Sequence, residues 1–338
     1  MDFCIQLSAD YPNKSYGGDR VYKDMVEQAI LADQLGFESI SMTEHHLINV
    51  LMMPAPLQFA VKIAAHTKHI KIITSVVVLP LHDMRVFAGE IVAADIFTDQ
   101  RLLLGVGRGA YKFEMERLGV PIIETQERFD EALAVLKALL SEEEVSWDGE
   151  YYKFEPLTIM PRPVRKGGPP MMVAVVNPDR VYSYAKEGMH IQTTPLAGGQ
   201  GLLERQVNSF QRAKEEQSEV GENLTLTLSR VGFVARSEHA RQSYLETAYA
   251  YYRRFDNVFT GPGIVDAGMI RPLPREQSIE ELGENLLICS PGEMVDRLMP
   301  YVELGIDRMV LNINFGVSQE ETLESIQCFA EEVIPQLR

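Results

Sequence analysis

Residues 101–111, RLLLGVGRGAY, join a short apolar run to three closely spaced glycines and an arginine. The run 102–104 predicts a strand buried on both faces, and the glycines after it predict a tight turn beside a ligand. Arg108 stands at the predicted end of that strand, where a guanidinium can meet a phosphate with two parallel hydrogen bonds. The spacing matches neither GxGxxG nor GK[ST]. A turn with a solvent-facing arginine is therefore the alternative, and the rest of the chain must decide.

The composition is that of an ordinary globular protein with one large core. The chain has 338 residues, of which 46% are hydrophobic and 24% are charged. This length is typical of one α/β barrel with insertions. The net charge of −16, with no run of basic residues, argues against nucleic acid or a membrane surface as a partner.

The cysteines and the first residues predict a cytoplasmic location. Cys4, Cys289 and Cys328 have neither CxxC nor metal-site spacing, which favours reduced thiols. The opening residues 1–10, MDFCIQLSAD, show no signal-peptide pattern, and the most apolar run, 70–81, is too short to span a bilayer. We expect a protein that is neither exported nor embedded in a membrane.

Strands alternate with helices along the whole chain. Apolar runs predict strands at 3–7, 37–42, 70–79, 102–104, 171–176, 190–193, 224–235 and 308–313. Helical periodicity or capping signals follow each of them, at 19–35, 55–67, 85–97, 126–140, 177 onward, 202–217, 238–255 and 318 onward. Eight strand–helix units in this order predict a parallel (β/α)8 TIM barrel and a single domain over residues 1–338.

Two segments interrupt the alternation. In 145–170, Asp148-Gly149 between aromatic runs predicts a small β-hairpin, which a proline-rich stretch follows. Residues 256–285 carry Gly261-Pro262-Gly263 and show no sustained periodicity. A loop of this length in a compact domain is usually functional, so we expect a mobile lid there. Residues 290–293, SPGE, then predict the start of the next helix.

The sequence Asn177-Pro178-Asp179-Arg180 predicts a helix start directly after the fifth strand. A helix N-terminus attracts anions, and Arg180 adds a positive charge. The fourth and fifth strands of the barrel are neighbours, so Arg108 and this helix start could bind one phosphate together. That juxtaposition favours the phosphate interpretation of Arg108.

The end of the second strand carries Thr43-Glu44-His45-His46. In an extended segment only one of two adjacent histidines points inward, and an inward imidazole is a candidate general base or hydrogen-bond donor. Solvated or capping histidines are the alternative. A metal site made of Glu44, one histidine, His82 and Asp83 is a further alternative, but no HxH or HExxH spacing supports it. No lysine lies at a predicted strand end, so a Schiff-base aldolase is poorly supported.

Six motifs together resemble the bacterial luciferase-like family of flavin-dependent monooxygenases, and they span nearly the whole chain in that family's order. They are TEHH at 43–46, VLPLHD at 78–83, DQRLLLGVGRG at 99–109, DGEYYKF at 148–154, MPRP at 160–163 and SPGE at 290–293. The resemblance identifies a family and not one enzyme.

The resemblance implies a barrel that binds reduced FMN. It implies that Arg108 contacts the phosphate, with the backbone at Ala110 and Tyr111 beside it. The remaining phosphate contacts come from the start of the helix after the fifth strand, here Val176, Asn177 and Arg180, where the family usually has small hydroxyl residues. Ser75 and Val76 match a position beside the flavin ring that often has a non-proline cis peptide.

The resemblance also implies a reaction. Reduced FMN from a separate flavin reductase would react with O2 to a flavin C4a-peroxide or hydroperoxide, which oxidises a small organic substrate. His45 and His82 are the candidate proton donors or acceptors, and residues 256–285 would shield the site. The luciferase cysteine near the flavin falls at Gly107, so light emission is not expected. The family also implies a homodimer, or a heterodimer of related subunits.

Three other functions remain open. The first is an F420-dependent dehydrogenase or reductase, and the second is a non-catalytic flavin-binding subunit. The third is a phosphate-binding barrel lyase. The substrate is open as well, although Tyr11, Met52, Met53 and Tyr111 could line an apolar pocket.

Overall fold

The computed structural model describes residues 1–8, 10–194, 199–217 and 221–337. In chain order, its strands are β1 (Asp2–Gln6), β2 (Ser39–Met42), β3 (Lys71–Thr74), β4 (Val77–Val78), β5 (Leu102–Gly107), β6 (Val145–Asp148), β7 (Lys153–Leu157), β8 (Met171–Ala174), β9 (His190–Thr193), β10 (Leu226–Val234), β11 (Val265–Asp266), β12 (Met269–Ile270), β13 (Leu287–Cys289) and β14 (Arg308–Asn312).

The helices surround the barrel. They are α1 (Gly18–Gln34), α2 (Pro56–Ala64), α3 (Met84–Phe97), α4 (Lys112–Arg117), α5 (Thr125–Ser141), α6 (Pro178–Lys186), α7 (Gly199–Glu215), α8 (Glu238–Phe259), α9 (Ile279–Asn285), α10 (Pro291–Glu303) and α11 (Gln319–Cys328). None of the helices within the described residues is both long enough and apolar enough to cross a membrane.

The parallel sheet closes on itself. β1 pairs with β14 on one side and with β2 on the other, and the order continues through β3, β5, β8 and β9. β9 then pairs with β10, and β10 pairs with β14, which completes the ring. The predicted (β/α)8 TIM barrel is confirmed. Five barrel strands contribute to one small apolar cluster, which is made of the buried residues Cys4, Ile73, Leu103, Met172 and Val310.

The fourth barrel strand is longer than the sequence suggested. β5 continues through Gly105 and Gly107, so the prediction that these glycines form a turn is wrong. Of the three glycines in this stretch, Gly109 alone has a positive φ, of 81°. A Cβ at position 105 would lie 1.8 Å from the Thr74 carbonyl oxygen. The glycines therefore allow two neighbouring strands to approach closely.

The third barrel strand, predicted as continuous over 70–79, is divided into β3 and β4. Ser75 and Val76 lie between them and are joined by a cis peptide bond. Both parts follow the course of β5, since β3 pairs with residues 102–103 and β4 with residues 106–107.

The two predicted interruptions differ in outcome. β6 and β7 form the expected antiparallel hairpin, with Trp147 opposite Phe154. Residues 256–285, predicted as a loop, contain the end of α8, the β11–β12 hairpin and α9. The buried Asn257 amide explains much of this order. Its Nδ2 donates to the Ile264 and Arg271 carbonyls at 2.9 and 2.6 Å, and its Oδ1 accepts from Ile264 N at 2.9 Å.

The second half of α8 lies across the carboxyl ends of the barrel strands, which we call the barrel mouth. Arg254 forms an ion pair with Asp10, which follows β1. Phe255 and Phe259 pack edge-on against Tyr111, which follows β5, with ring centroids 6.1 and 6.0 Å apart. The helix therefore covers the face on which barrel enzymes place their active sites.

Candidate active site

His45 is held firmly at the barrel mouth. Its Nδ1 lies 2.7 Å from Glu114 Oε2 of α4, and its ring stacks on Tyr111 with centroids 4.2 Å apart and planes at 16°. The side chains of His45 and Glu114 are only 11% and 7% exposed. A carboxylate at Nδ1 keeps a proton on that nitrogen, so Nε2 is the nitrogen left for a reacting group.

Glu44 lies between two other histidines. One of its oxygens, Oε1, is 2.8 Å from His46 Nε2 and 2.9 Å from His82 Nε2. Its other oxygen, Oε2, accepts the Val78 N–H at 2.6 Å. The Glu44 side chain is fully buried, whereas those of His46 and His82 are 24% and 25% exposed. We call Glu44, His46 and His82 the Glu44 cluster.

The Glu44 cluster favours a charged carboxylate. Burial alone would raise the pKa of Glu44, but hydrogen bonds from His46, His82 and the Val78 N–H outweigh burial and lower that pKa to about 2. The hydrogen bond to Glu44 in turn raises the pKa of His46, and burial opposes this only in part. His82, predicted to be catalytic, therefore shares the Glu44 carboxylate with His46.

The alternative of a metal site finds no geometric support. Asp83, its proposed fourth ligand, instead caps α3 by accepting the Arg85 N–H at 3.0 Å, and it also binds the Arg85 guanidinium. Among residues 1–8, 10–194, 199–217 and 221–337, no three His, Cys, Asp or Glu side chains are arranged to hold a metal ion.

Ser75 and Val76 form a fixed wall beside these histidines. Ser75 Oγ donates to Gln192 Oε1 of β9 at 2.9 Å, and the Ser75 carbonyl accepts the Thr43 hydroxyl at 2.7 Å. The Val76 carbonyl accepts the Glu44 N–H at 2.9 Å. A Cβ at Gly107 would come within 2.5 Å of Val76 Cγ2. No side chain fits at position 107 unless this wall moves.

Arg108 and Arg180 both extend to the first turns of α5. Arg108 is exposed and donates to Thr125 Oγ1 at 2.9 Å. Arg180 lies 3.7 Å from Asp130 Oδ1 and donates to the Tyr184 hydroxyl at 3.3 Å. Thr125 and Asp130 are little more than one helical turn apart, so both guanidinium groups lie near the amino-terminal end of α5.

The predicted helix start after β8 is confirmed. Asn177 Oδ1 accepts the N–H groups of Asp179 and Arg180 at 2.9 and 3.2 Å, and Pro178 occupies the first turn. These two N–H groups are therefore already bonded, whereas the side-chain amide of Asn177 is a further donor at this helix start. The Val176 carbonyl accepts Gln206 Nε2 at 2.8 Å.

The structure thus brings several predicted residues together and adds His46 and Glu114 to them. His45 and Tyr111 are in contact, and Ser75 and Val76 adjoin the Glu44 cluster through the Val76 carbonyl. Of the four candidate pocket residues, Tyr111 and Met53 are buried, while Tyr11 and Met52 are half-buried.

The sequence did not reveal Glu114 as a partner of His45. Only its position three residues after Tyr111 on a short helix hints at burial, and the nearby Glu116 is exposed.

Comparison with known proteins identifies relatives of the whole chain. A family model described as luciferase-like monooxygenase matches residues 1–308. The oxygenase component of a flavin-dependent trigonelline monooxygenase from Acinetobacter baylyi is 30% identical, over 99% of this chain and 95% of that protein. An F420-dependent glucose-6-phosphate dehydrogenase from Amycolatopsis mediterranei is 24% identical, over 94% of this chain and 95% of its own length.

Among solved structures, the monooxygenase RslO1 from Streptomyces bottropensis superimposes with a TM-score of 0.87 at 22% identity, covering 100% of both chains. This likeness extends the barrel match to the whole length. The family model spans the strand ends that carry His45, Ser75, Arg108 and Asn177. The chain therefore belongs to the luciferase-like monooxygenase family of oxidoreductases.

Proposed function

We propose that this chain is the oxygenase component of a two-component monooxygenase that uses reduced FMN and O2 to oxidise a small organic substrate. One observation carries the proposal. Arg108, an exposed cation suited to a phosphate, lies three residues before Tyr111, whose ring stacks on the oriented imidazole of His45. A phosphate anchor and a proton-transfer group thus occur in one site.

The residues present fit FMN. Arg108, the backbone at Ala110 and Tyr111, and the Asn177 amide would hold the phosphate. Arg180 would add positive charge, and Val176 would lie alongside. Ser75 and Val76 would lie against the flavin ring. Gly107 supports this position, because a side chain at residue 107 would displace Val76 and so disturb the Ser75–Val76 wall against which the ring would lie.

When bound, reduced FMN supplies the electrons that activate O2. The protein's own residues orient the ring, exclude water and move protons. Glu114 would keep a proton on His45 Nδ1, so that His45 Nε2 exchanges a proton with the reacting groups. Phe255 and Phe259, packed on Tyr111, would keep water from this side of the mouth.

The proposal includes partners. A separate flavin reductase would deliver the reduced FMN, and this is supported by the trigonelline relative, which is named as an oxygenase component. A homodimer, or a heterodimer of related subunits, is the proposed assembly, and sedimentation velocity measures it. Trigonelline belongs in the first substrate screen.

An F420-dependent dehydrogenase or reductase is the second candidate. The F420-dependent relative supports it, since it covers 94% of this chain. Such an enzyme would also need a phosphate anchor, but it would not need O2. The higher identity with a flavin-dependent monooxygenase favours FMN.

Anaerobic titration with reduced FMN, and separately with reduced F420, tests the proposal. We expect tight binding of reduced FMN, followed by O2-dependent oxidation of an organic substrate when air is admitted. Binding of F420 alone would favour the second candidate. Binding of FMN without turnover of any substrate would favour a non-catalytic flavin-binding subunit.

Replacing Arg108 tests the phosphate anchor. In Arg108→Ala we expect affinity for reduced FMN to fall about a hundredfold, because the charge-assisted phosphate contacts are lost. The matched control is Arg236→Ala, since Arg236 is a half-exposed arginine that pairs with Glu324 and Glu332 on another part of the barrel. Equal affinity in wild type and Arg108→Ala would exclude this phosphate site.

A further inference from the structure

The Glu44 cluster forms a hydrogen-bonded chain that is buried in the middle and accessible at both ends. Glu44 contributes a fully buried carboxylate, whereas the imidazoles on either side of it are each about one quarter exposed. The His82 ring is held flat against Phe87, with centroids 4.0 Å apart and planes at 12°. A buried carboxylate between two partly exposed imidazoles can stabilise a positive charge on either of them.

The His82 end opens to water. His82 lines a surface cleft of about 440 Å³ between the start of α3 and the β6–β7 hairpin. The charged side chains around it, Asp83, Arg85, Arg128 and Lys153, pair with one another or with acidic neighbours outside the cleft. The charge that directly contacts the His82 ring is therefore that of Glu44.

The His46 end adjoins the candidate active site. The His46 backbone N–H donates to Glu114 Oε1, and the other oxygen of Glu114 holds His45. The charges of Glu44 and Glu114 both act on the His46 ring. The backbone N–H of Glu44 is bonded to the Val76 carbonyl, so the Glu44 cluster also borders the Ser75–Val76 wall.

We propose that His46 and His82 exchange protons through Glu44, so that a proton released by His46 at the barrel mouth is replaced by one that His82 takes from water in the cleft. One proton enters the Glu44 cluster at His82, one leaves it at His46, and no electron moves. Glu44 Oε1 accepts the proton from His82 Nε2 and passes it to His46 Nε2, and the carboxylate stabilises the positive charge on whichever imidazole holds the proton. The inference rests on the proposed function, since a reduction of O2 by flavin consumes protons in a mouth that α8 covers.

The first test uses ligand-free protein with 15N-labelled histidine, titrated by NMR. In wild type we expect the titration of His46 to respond to that of His82. In Glu44→Gln we expect the pKa of His46 to fall and this coupling to disappear, because the carboxylate that favours the protonated ring is gone. An unchanged His46 titration in Glu44→Gln would overturn the proposal.

A second variant guards against misfolding of Glu44→Gln. His82→Gln keeps an N–H donor toward Glu44 but cannot take up a proton. It should leave His46 with a single uncoupled titration, whereas His239→Gln, which replaces an exposed histidine of α8, should titrate like wild type. Coupling that persists in His82→Gln would contradict the proposal.

Activity provides an independent readout. In His82→Ala we expect at least a fivefold slower proton-dependent step, and partial recovery when free imidazole enters the cleft. Glu44→Gln should not be rescued, because imidazole cannot replace a carboxylate. Failure of imidazole to rescue a folded His82→Ala would count against the exchange. The NMR test needs no cofactor, so a protein that binds no FMN would refute the proposed function and still leave the exchange to be judged.

Discussion

At the scale of single residues, the missing side chain of Gly107 decides how closely β5 approaches the Ser75–Val76 wall. We expect Gly107→Ala to lower the free energy of unfolding by about 1–3 kcal/mol, as overpacking of a tight interior does. The reason is a Cβ that would lie 2.5 Å from Val76 Cγ2. Urea denaturation of ligand-free protein measures the change.

Gly292→Ala is the control, because a Cβ at that position of α10 would meet no heavy atom within 4 Å. This variant should be neutral, or more stable by up to about 1 kcal/mol, since alanine favours helix. If both variants changed stability alike, the close approach at position 107 would not be the cause.

The residue scale also shows what the sequence could provide. Strand ends follow from apolar runs, so the sequence alone assigns His45, Ser75 and Arg108 to one face of a barrel. Pairing could not be assigned, because it depends on contacts between residues far apart in the chain. Glu114 lies 69 residues from His45, and nothing in the local pattern links the two.

At the scale of elements, the ion pair between Arg254 and Asp10 fastens α8 to the end of β1. Burial raises the pKa of Asp10 to about 6, and the charge of Arg254 offsets this only in part. A carboxyl whose pKa is higher in the folded chain than in the unfolded chain contributes stability at low pH, and this contribution is lost as pH rises through the folded pKa. Asp10→Asn does not titrate. The free energy of unfolding of the variant, taken relative to that of wild type, should therefore increase as the pH rises from 5 to 7.

Thermal unfolding of the two proteins at matched pH values measures this difference. Asp266→Asn is the control, because Asp266 pairs with Arg271 at the surface, with side chains 67% and 59% exposed. A stability difference between Asp10→Asn and wild type that stayed constant from pH 5 to pH 7 would contradict the raised pKa.

Elements with local signals were predictable, and those organised by distant contacts were not. The start of α6 followed from Asn177-Pro178, because an N-cap acts within three residues. The order in residues 256–285 depends on the buried amide of Asn257, which binds backbone seven and fourteen residues away. Such contacts leave no periodicity, so the segment resembled a loop.

At the scale of the whole molecule, the alternation of strands and helices was sufficient to predict the barrel, because parallel strands with helical crossovers allow few topologies. Closure itself depends on the first and last strands meeting. Arg308 of β14 reaches across β1 to Glu38, which precedes β2. Its Nε and Nη2 donate to Glu38 Oε2 and Oε1, each at 2.9 Å. The pair is 6% and 14% exposed and joins the two sides of the closure at the amino ends of the strands.

This closing pair predicts how the whole barrel responds to acid. Burial alone would raise the pKa of Glu38, but the hydrogen bonds and charge of Arg308 outweigh burial and lower that pKa to about 2. A lowered carboxyl pKa stabilises the fold above the unfolded value of 4.5, and this stability is lost as pH falls toward 2. Glu38→Gln should therefore lower the free energy of unfolding by roughly 3 kcal/mol at pH 7. The deficit should shrink as the pH falls below 4.5, because wild type then loses the same contribution.

Urea denaturation across this pH range measures the deficit. The control is Asp19→Asn, because Asp19 lies in an exposed pair with Lys23 and this variant should match wild type. A deficit that did not depend on pH would mean that packing, and not the charge of Glu38, closes the barrel at this end.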